Sequence, residues 1–315
     1  MWHKNNKFMR IISGLLVICL LFSYFSGTEV EAKSKPPKFN AAMTDKNMLK
    51  LVKAYDSDAY YILSKTKKKG DSFAVWLSSG SNLADAADVT VHEQFHSYTH
   101  SFGKFSWSGG FSDKYYIGNK KNVYVSYTDV FKTEVATRKI PSEYRTFRYS
   151  TYVSEGAKAS SNMYGVYGLL NEFTAYYWGM HVDYSLYPYY KANEGETSWY
   201  KFESNYSNNK DAYAEFYYWT LVYLEYARVH KKKVYKAIMK NKNYIKTFNK
   251  IQTDYVKLMK KYEKKLDIIY NENYGYSYTS SRGEYGTYKV LMGQINSSKY
   301  KKVRNDIKKY AKKYK

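Results

Sequence analysis

Apolar residues recur at helical spacing over most of the chain, which predicts a mainly α fold with a smaller β part (α+β). Thr44 or Asp45 can cap the first helix, whose apolar positions run through Met48 and Val52 and continue towards Leu63. The later elements are predicted as a buried helix from Tyr164 through Leu169–Trp178, a helix over Asp211–His230 capped by Asn208 or Asn209, one or two amphipathic helices over Val234–Leu266, a loop or small β segment around Gly275, Gly283 and Gly286, and a basic helix or tail over Lys299–Lys315.

Between the helices, short stretches have the composition and alternation that are typical of β-strands. We expect a strand over Phe73–Leu77, either in the core or as an edge that pairs with an extended peptide. A loop is expected over Gly103–Asp113, followed by a hairpin that joins Tyr115–Ile117 to Val123–Tyr127. A further β run over Tyr144–Val153 would complete a tyrosine-rich β insertion between the two helical parts.

The first 32 residues have the three parts of a secretory signal peptide. Three basic residues before position 11 are followed by an apolar run from Ile11 to Phe25 and by small residues that end at Ala32. We therefore predict a secreted, extracellular protein whose signal peptide is cleaved after Ala32. An uncleaved membrane anchor is the alternative.

Without the signal peptide, the chain begins at Lys33 and is long enough for one catalytic domain in two lobes. We predict a flexible leader over 33–43, a domain over 44–298 with lobes 44–164 and 165–298, and a basic C-terminal helix or tail over 299–315. The single cysteine, Cys19, lies within the signal peptide. Disulfides and thiolate chemistry are therefore excluded from the mature chain.

The chain is strongly basic, with a formal charge of +23. Residues 1–32 contain three basic and two acidic side chains, so the mature chain keeps a charge of about +22. Such a charge favours an anionic partner, for instance an acidic cell-wall polymer or a membrane surface. An AT-rich genome would also encode abundant lysine and tyrosine without selection for binding. Nucleic acid is not expected as a partner, because no recognised binding motif is present.

One segment carries a His-Glu-x-x-His motif, at His92, Glu93 and His96. The segment is predicted to be a helix with Asp85 or Asp88 as its cap. A spacing of four helical residues places the two imidazoles one turn apart on the same face, where both can bind one metal ion. Glu93 can then act as general base towards a water beside that ion. The alternative is an ordinary helix with two surface histidines.

A catalytic zinc ion needs three protein ligands, so another must come from elsewhere in the chain. His100 is not suited, because two helical turns place it about 12 Å along the axis from His92. His181 and His230 are expected at helix C-termini, where the helix dipole favours them.

The carboxylates are therefore the better candidates for the third ligand. Glu172 lies on the apolar helix, where a buried carboxylate needs a metal, a lysine or an arginine as its partner. It is the strongest candidate for that reason. Glu215 and Glu155 are the alternatives.

His92, Glu93 and His96, followed downstream by Asn171-Glu172 on a helix, resemble the gluzincin group of zinc metallopeptidases, of which thermolysin is the best-known type. The resemblance covers only these two short patches. It implies a zincin-like catalytic domain with an edge strand, a motif helix, a β insertion and a helical C-terminal lobe. It also implies one zinc ion on His92, His96 and Glu172, with Glu93 as general base.

Two parts of such a site are not assigned by the sequence. Ala175 and Tyr176 stand where the group often has an aspartate that orients a histidine ligand. A donor for the oxyanion is also needed, and Tyr213, Tyr217 and Tyr218 are candidates among many tyrosines. The alternative for these three is an aromatic core.

We therefore expect a secreted zinc-dependent metallopeptidase that hydrolyses peptide or protein substrates. One alternative is an exported basic binding or surface-coat protein that associates with anionic cell-wall polymer. Another is a zinc amidase that acts on wall peptides with the same ligands. The sequence determines neither the substrate nor the oligomeric state.

Overall fold

A computed structural model describes residues 35–107, 110–194, 198–281 and 286–314. The predicted signal peptide, with Cys19, and the first two residues of the predicted leader lie outside the described residues. The helices of the described part are α1 Asp45–Tyr55, α2 Ser57–Lys68, α3 Ala74–Leu77, α4 Ala87–Ser101, α5 Glu134–Thr137, α6 Tyr149–Tyr152, α7 Ser160–Met163, α8 Gly165–Glu194, α9 Ser198–His230, α10 Lys232–Lys240, α11 Lys242–Tyr274, α12 Tyr278–Ser281, α13 Thr287–Asn296 and α14 Lys301–Lys313, with 3-10 turns at Ser142–Tyr144 and Ser298–Tyr300. The strands are β1 Lys104–Ser106, β2 Gly110–Tyr116 and β3 Asn122–Ser126.

The fold is mainly helical with a small antiparallel sheet, as the apolar pattern predicts. The strand order is β1-β2-β3, and Tyr115 lies opposite Val123. The predicted hairpin between β2 and β3 is therefore confirmed. The sheet begins earlier than predicted, because β1 and the first part of β2 occupy the segment 103–113 that we expected to be a loop.

The predicted strand over Phe73–Leu77 is wrong, since Ala74–Leu77 form the short helix α3. Its buried residues, Phe73 and Leu77, are four positions apart, whereas Val75 is 69% exposed. Asp45 accepts a hydrogen bond from the backbone N–H of Phe73 at 3.1 Å. This segment therefore does not form the edge strand that the resemblance implies.

The predicted β run over Tyr144–Val153 is also wrong, because this segment contains the end of a 3-10 turn and the short helix α6. Arg148 and Tyr152 hold it by side-chain bonds to α8 and α9 rather than by backbone pairing. The β insertion is therefore smaller than expected and consists of β1 to β3 within the described residues.

The predicted helices are largely confirmed, with changes at their ends. Thr44 caps α1, its Oγ1 accepting a hydrogen bond from the N–H of Asn47 at 3.3 Å. Helix α9 begins at Ser198 rather than near Asp211, because aromatic residues at helical spacing in its first turns pack into the core. The segment predicted as loop or β after α11 contains α12 and the start of α13, and Gly283 lies outside the described residues.

Helix α8 lies at the centre of the fold and packs against α4 and α9. It is apolar nearly all round, and most of its residues are buried, as predicted. Tyrosine fills much of the surrounding core, where Tyr244, Tyr255 and Tyr262 of α11 are almost completely buried. No helix among the described residues has both the length and the apolar character that crossing a bilayer requires. The predicted division into two lobes stays a prediction.

Candidate metal centre

Helices α4 and α8 bring together the three residues expected to bind a metal ion. The Nε2 atoms of His92 and His96 are 3.1 Å apart. Oε2 of Glu172 lies 3.5 Å from Nε2 of His92 and 3.3 Å from Nε2 of His96. Within the described residues, this is the only group of three or more His, Cys, Asp or Glu that could hold a metal ion. We call these three side chains the metal triangle.

The size of the metal triangle fits a zinc ion. Ligand atoms about 2.0–2.1 Å from a tetrahedral ion stand about 3.3 Å from one another. Oε2 of Glu172 is buried and makes no hydrogen bond of good geometry in the described part of the chain, although two ring nitrogens lie near it. Such an atom costs free energy unless it is paired, and a cation at the centre would pair it.

The metal triangle is closed on one side and more open on the other. The side chains of His92 and Glu172 are 9% and 8% exposed, whereas that of His96 is 23% exposed. Access to the metal position is therefore on the His96 side, where a water or a substrate carbonyl could enter.

Asn171, next to Glu172 on α8, orients one of the imidazoles. Its side-chain oxygen lies within hydrogen-bond distance of Nδ1 of His96. A histidine that donates from one ring nitrogen keeps the other free for a metal, and such a bond fixes both ring orientation and tautomer. Asn171 therefore takes the orienting role that the sequence left unassigned at Ala175 and Tyr176.

The charges within the metal triangle keep Glu172 ionised. Burial raises the pKa of Glu172, but the neighbouring His96 and His92 outweigh this effect and lower it well below its usual range. Burial lowers the pKa of His96, but Glu172 outweighs it and raises the pKa to about 9. His96 must therefore release a proton before it can bind a metal ion at neutral pH.

Glu93 follows His92 on α4 and is partly exposed. Its charge contributes to the raised pKa of His96, so its carboxylate lies close enough to act on that ring. It is not a member of the metal triangle. Its assignment as general base stays a prediction.

Asp85 and Asp88, the predicted caps of α4, do not cap it. The helix begins after Ala86 without a side-chain hydrogen bond to its first N–H groups. Asp85 accepts a hydrogen bond from the hydroxyl of Ser81. Asp88 turns towards α8, where its carboxylate lies against Gly179.

The two alternative third ligands lie in other surroundings. Glu215 is fully buried, and its Oε2 is 2.6 Å from Nη1 of Arg148. Arg148 is therefore the partner of this buried carboxylate in place of a metal ion. Glu155 is exposed.

Three other histidines are separate from the metal triangle. The side chain of His100 is 79% exposed, and its Nδ1 is 4.0 Å from a carboxylate oxygen of Asp113. Nδ1 of His181 is 2.7 Å from Oδ2 of Asp56. His230 is exposed beside the ring of Tyr226.

Sequence reasoning missed three residues beside the metal triangle. Tyr176 packs edge-on against His92, with ring centres 4.5 Å apart. Its hydroxyl is 3.1 Å from that of Tyr152 and accepts a hydrogen bond from Nε of Arg148 at 3.1 Å. Tyr176 lies four residues after Glu172, so helical spacing could have identified it. Tyr152 and Arg148 belong to the segment that we wrongly expected to be a strand.

The tyrosines considered as oxyanion donors belong to the aromatic core. Tyr213 packs on Phe173, and its hydroxyl accepts a hydrogen bond from Gln252 at 2.9 Å. Tyr217 packs against Phe248, and Tyr218 packs against Tyr300.

Comparison of the chain with protein-family models, with curated proteins and with solved structures yields no match. The arrangement of the residues themselves therefore carries the functional argument.

Proposed function

We propose that the chain is a secreted zinc-dependent metallopeptidase with a zincin-like catalytic domain. The metal triangle carries this proposal, because its three ligand atoms leave the fourth position of a tetrahedral ion free. Structural zinc sites are closed by four protein ligands, whereas catalytic sites keep one position for water or substrate. Two imidazoles and one carboxylate are also a donor set that suits zinc. Secretion rests on the signal-peptide pattern of residues 1–32.

In this proposal each residue beside the metal has one task. A zinc ion would supply Lewis-acid chemistry, which polarises a carbonyl and makes water more acidic. Glu93 accepts the proton of the attacking water and passes it to the leaving nitrogen. Asn171 holds His96 with Nε2 towards the metal position.

We assign the oxyanion donor to Tyr152 in place of Tyr213, Tyr217 and Tyr218. The Tyr152 hydroxyl is 3.1 Å from that of Tyr176, whose ring contacts His92. Burial raises the pKa of Tyr152, and the charges of Tyr176 and Glu172 raise it further, so the hydroxyl keeps its proton at neutral pH. A donor aimed at the developing oxyanion contributes about 3 kcal/mol in comparable sites.

Metal analysis and a peptide-library digest of the chain from Lys33 onward test this function. We expect one zinc ion per chain, and cleavage that a chelator abolishes and added zinc restores. Glu93→Gln should retain zinc and lose cleavage, whereas Glu172→Ala should lose both. Glu155→Gln makes the same chemical change at an exposed carboxylate and should behave as the wild type.

The other outcomes separate the alternatives. Full activity of the Glu93→Gln variant would end the proposed mechanism. Cleavage restricted to wall-derived peptides in the library would favour the zinc amidase. A chain that cleaves nothing but adsorbs to anionic wall polymer would favour the basic binding or surface-coat protein, which the charge of +23 also suits.

A further inference from the structure

A second group of buried polar side chains lies where α4, α8, α9 and α11 meet. Asp183 of α8 is 1% exposed, and neither of its carboxylate oxygens has a hydrogen-bond partner among the described residues. Besides burial, Asp88 of α4 raises the pKa of Asp183, and the side-chain amide of Asn205 on α9 acts on it in the opposite direction. Two neighbouring carboxylates, one of them inside the protein, repel each other unless a proton or a cation compensates them.

A glycine makes room for this approach of the two helices. A Cβ atom on Gly179 would lie 2.1 Å from Oδ1 of Asp88. Gly179 and Asp183 are four residues apart, so they lie on the same face of α8. The Asp88 carboxylate therefore rests directly on the face of α8 that carries Asp183. Asp88 is partly exposed, which gives an ion from solvent a route to this position.

Three neutral oxygen donors near the carboxylates also lack partners. Oδ1 of Asn209 and the hydroxyls of Tyr190 and Tyr262 are buried without a hydrogen bond in the described part of the chain, and all three residues are 0% exposed. The amide nitrogen of Asn209 is 3.5 Å from Oδ2 of Asp88. Besides burial, the charges of Asp183 and Asp88 raise the pKa of both tyrosines, so the two rings lie within electrostatic range of the carboxylates.

The neighbouring lysine offsets the charge of this group only in part. Lys201 acts on both Asp88 and Asp183, but its Nζ is 3.6 Å from Oδ1 of Asp85 and its side chain is 40% exposed. It therefore already pairs with a third carboxylate in contact with solvent.

We propose that Asp88, Asp183, Asn209, Tyr190 and Tyr262 form a binding site for one calcium ion. The donors are all oxygen atoms and include two carboxylates, which suits a hard divalent cation and not zinc. Calcium accepts about six to eight oxygen ligands in irregular geometry, including bidentate carboxylates and water. Magnesium requires near-octahedral geometry and gives up its water shell reluctantly, so an irregular set of side chains from four helices suits it less well. The ion would join four helices and is independent of the metal triangle.

Direct binding of calcium tests this site. Equilibrium dialysis of the zinc-loaded chain against radioactive calcium should show one ion bound per chain. Asp183→Asn should lose this ion and keep its zinc. Asp254→Asn removes a carboxylate from the outer part of α11, where Asp254 pairs with Lys250, and should keep the ion. Because the readout is bound calcium, failure of the proposed peptidase would leave this result unchanged.

Thermal denaturation distinguishes a calcium ligand from an ordinary buried side chain. Calcium should raise the Tm of the wild type and leave that of Asp183→Asn unchanged. In calcium-free buffer, Asp183→Asn should melt at or above the wild type, because it removes the repulsion from Asp88. Addition of calcium should reverse this order.

Two results would overturn the calcium site. In the first, the wild type binds no more calcium than Asp183→Asn. In the second, the order of the two Tm values is the same with and without calcium, which would mean that the two carboxylates share a proton instead. If Asp183→Asn does not fold, Tyr190→Phe removes only a hydroxyl and should bind calcium more weakly with unchanged zinc content. Equal calcium affinity of that variant would also contradict the site.

Discussion

The contact between Asn171 and Nδ1 of His96 determines which ring nitrogen of His96 is turned towards a metal ion. We predict that Asn171→Ala lowers zinc affinity about 10–100-fold, as loss of an orienting partner does at other metal sites. Chelator competition measures this change. Asn193→Ala is the matched control, because among the described residues its side chain bonds the carbonyl of Tyr189 within the same helix. Equal zinc affinity of the wild type and Asn171→Ala would contradict the orienting role.

Removal of the Tyr152 hydroxyl tests the assignment of this residue as the oxyanion donor. We predict that Tyr152→Phe lowers kcat about 100-fold, with little change in KM and unchanged zinc content, because the donor acts on charge that develops in the transition state. Tyr218→Phe, in the core against Tyr300, should keep full activity after purification. An unchanged kcat for Tyr152→Phe would assign the donor elsewhere.

The sequence could identify the metal triangle because each of its members leaves a local signal. The spacing of His92 and His96 is visible in the chain, and Glu172 stands out as an ionisable group on an apolar helix. Arg148 and Tyr152 leave no such signal, because only tertiary packing brings them to Tyr176.

At the scale of elements, the junction of α1 and α2 depends on a pair of charges. Asp56 accepts hydrogen bonds from the N–H groups of Asp58 and Ala59, and it also contacts His181 of α8. Burial lowers the pKa of His181, but Asp56 outweighs this and raises the pKa above its ordinary value. Burial raises the pKa of Asp56, and His181 together with hydrogen bonds from Ala59 and Ser185 more than reverses that effect. The pair therefore ties the first two helices to the central one.

The raised pKa of His181 sets the pH range in which this pair stabilises the fold. Its contribution is complete below the unfolded pKa of about 6.5 and is lost as the pH rises through the folded pKa. We predict that His181→Asn lowers the free energy of unfolding by about 1.5–3 kcal/mol near pH 6 and by less near pH 9. Urea denaturation at both pH values measures the difference, and His230→Asn at an exposed site is the control. A penalty that does not vary with pH would contradict the argument.

The elements that were wrongly predicted from the sequence have a common physical cause. A run of five apolar residues such as Phe73–Leu77 fits a strand or one helical turn equally well, and here contact with α1 through Asp45 decides for the helix. The first turns of α9 are polar enough to pass for a loop, although Trp199, Phe202 and Tyr206 are buried at helical spacing. Long periodic segments such as α8 and α11 carry enough repeats to be predicted from the sequence.

For the whole molecule, the excess of lysine and arginine predicts salt-dependent adsorption to anionic surfaces. We expect the chain from Lys33 onward to bind vesicles that contain an anionic phospholipid at low ionic strength. It should be released near 1 M salt, where the screening length falls to about 3 Å. Vesicles of neutral lipid are the control. Binding that salt does not weaken would contradict an electrostatic origin.

The class of fold could be predicted from the apolar pattern, but the helix arrangement could not. The proximity of α4 to α8 depends on Gly179, which the sequence marks only as a glycine within a helix. The burial of Asp183 likewise follows from the way four helices meet, and nothing near it in the sequence indicates this.

Because tyrosine fills much of the core, the ultraviolet absorbance of the protein can follow its unfolding in alkali. Burial raises the pKa of Tyr244, Tyr255 and Tyr262 well above the ordinary value, whereas several other tyrosines are exposed at the surface. An ultraviolet titration should therefore show an early, gradual phenolate wave from surface rings. A second, abrupt wave should follow when the helices separate, and it should coincide with the loss of helical circular dichroism. A single smooth wave would mean that hydroxide reaches these rings while the helices remain packed.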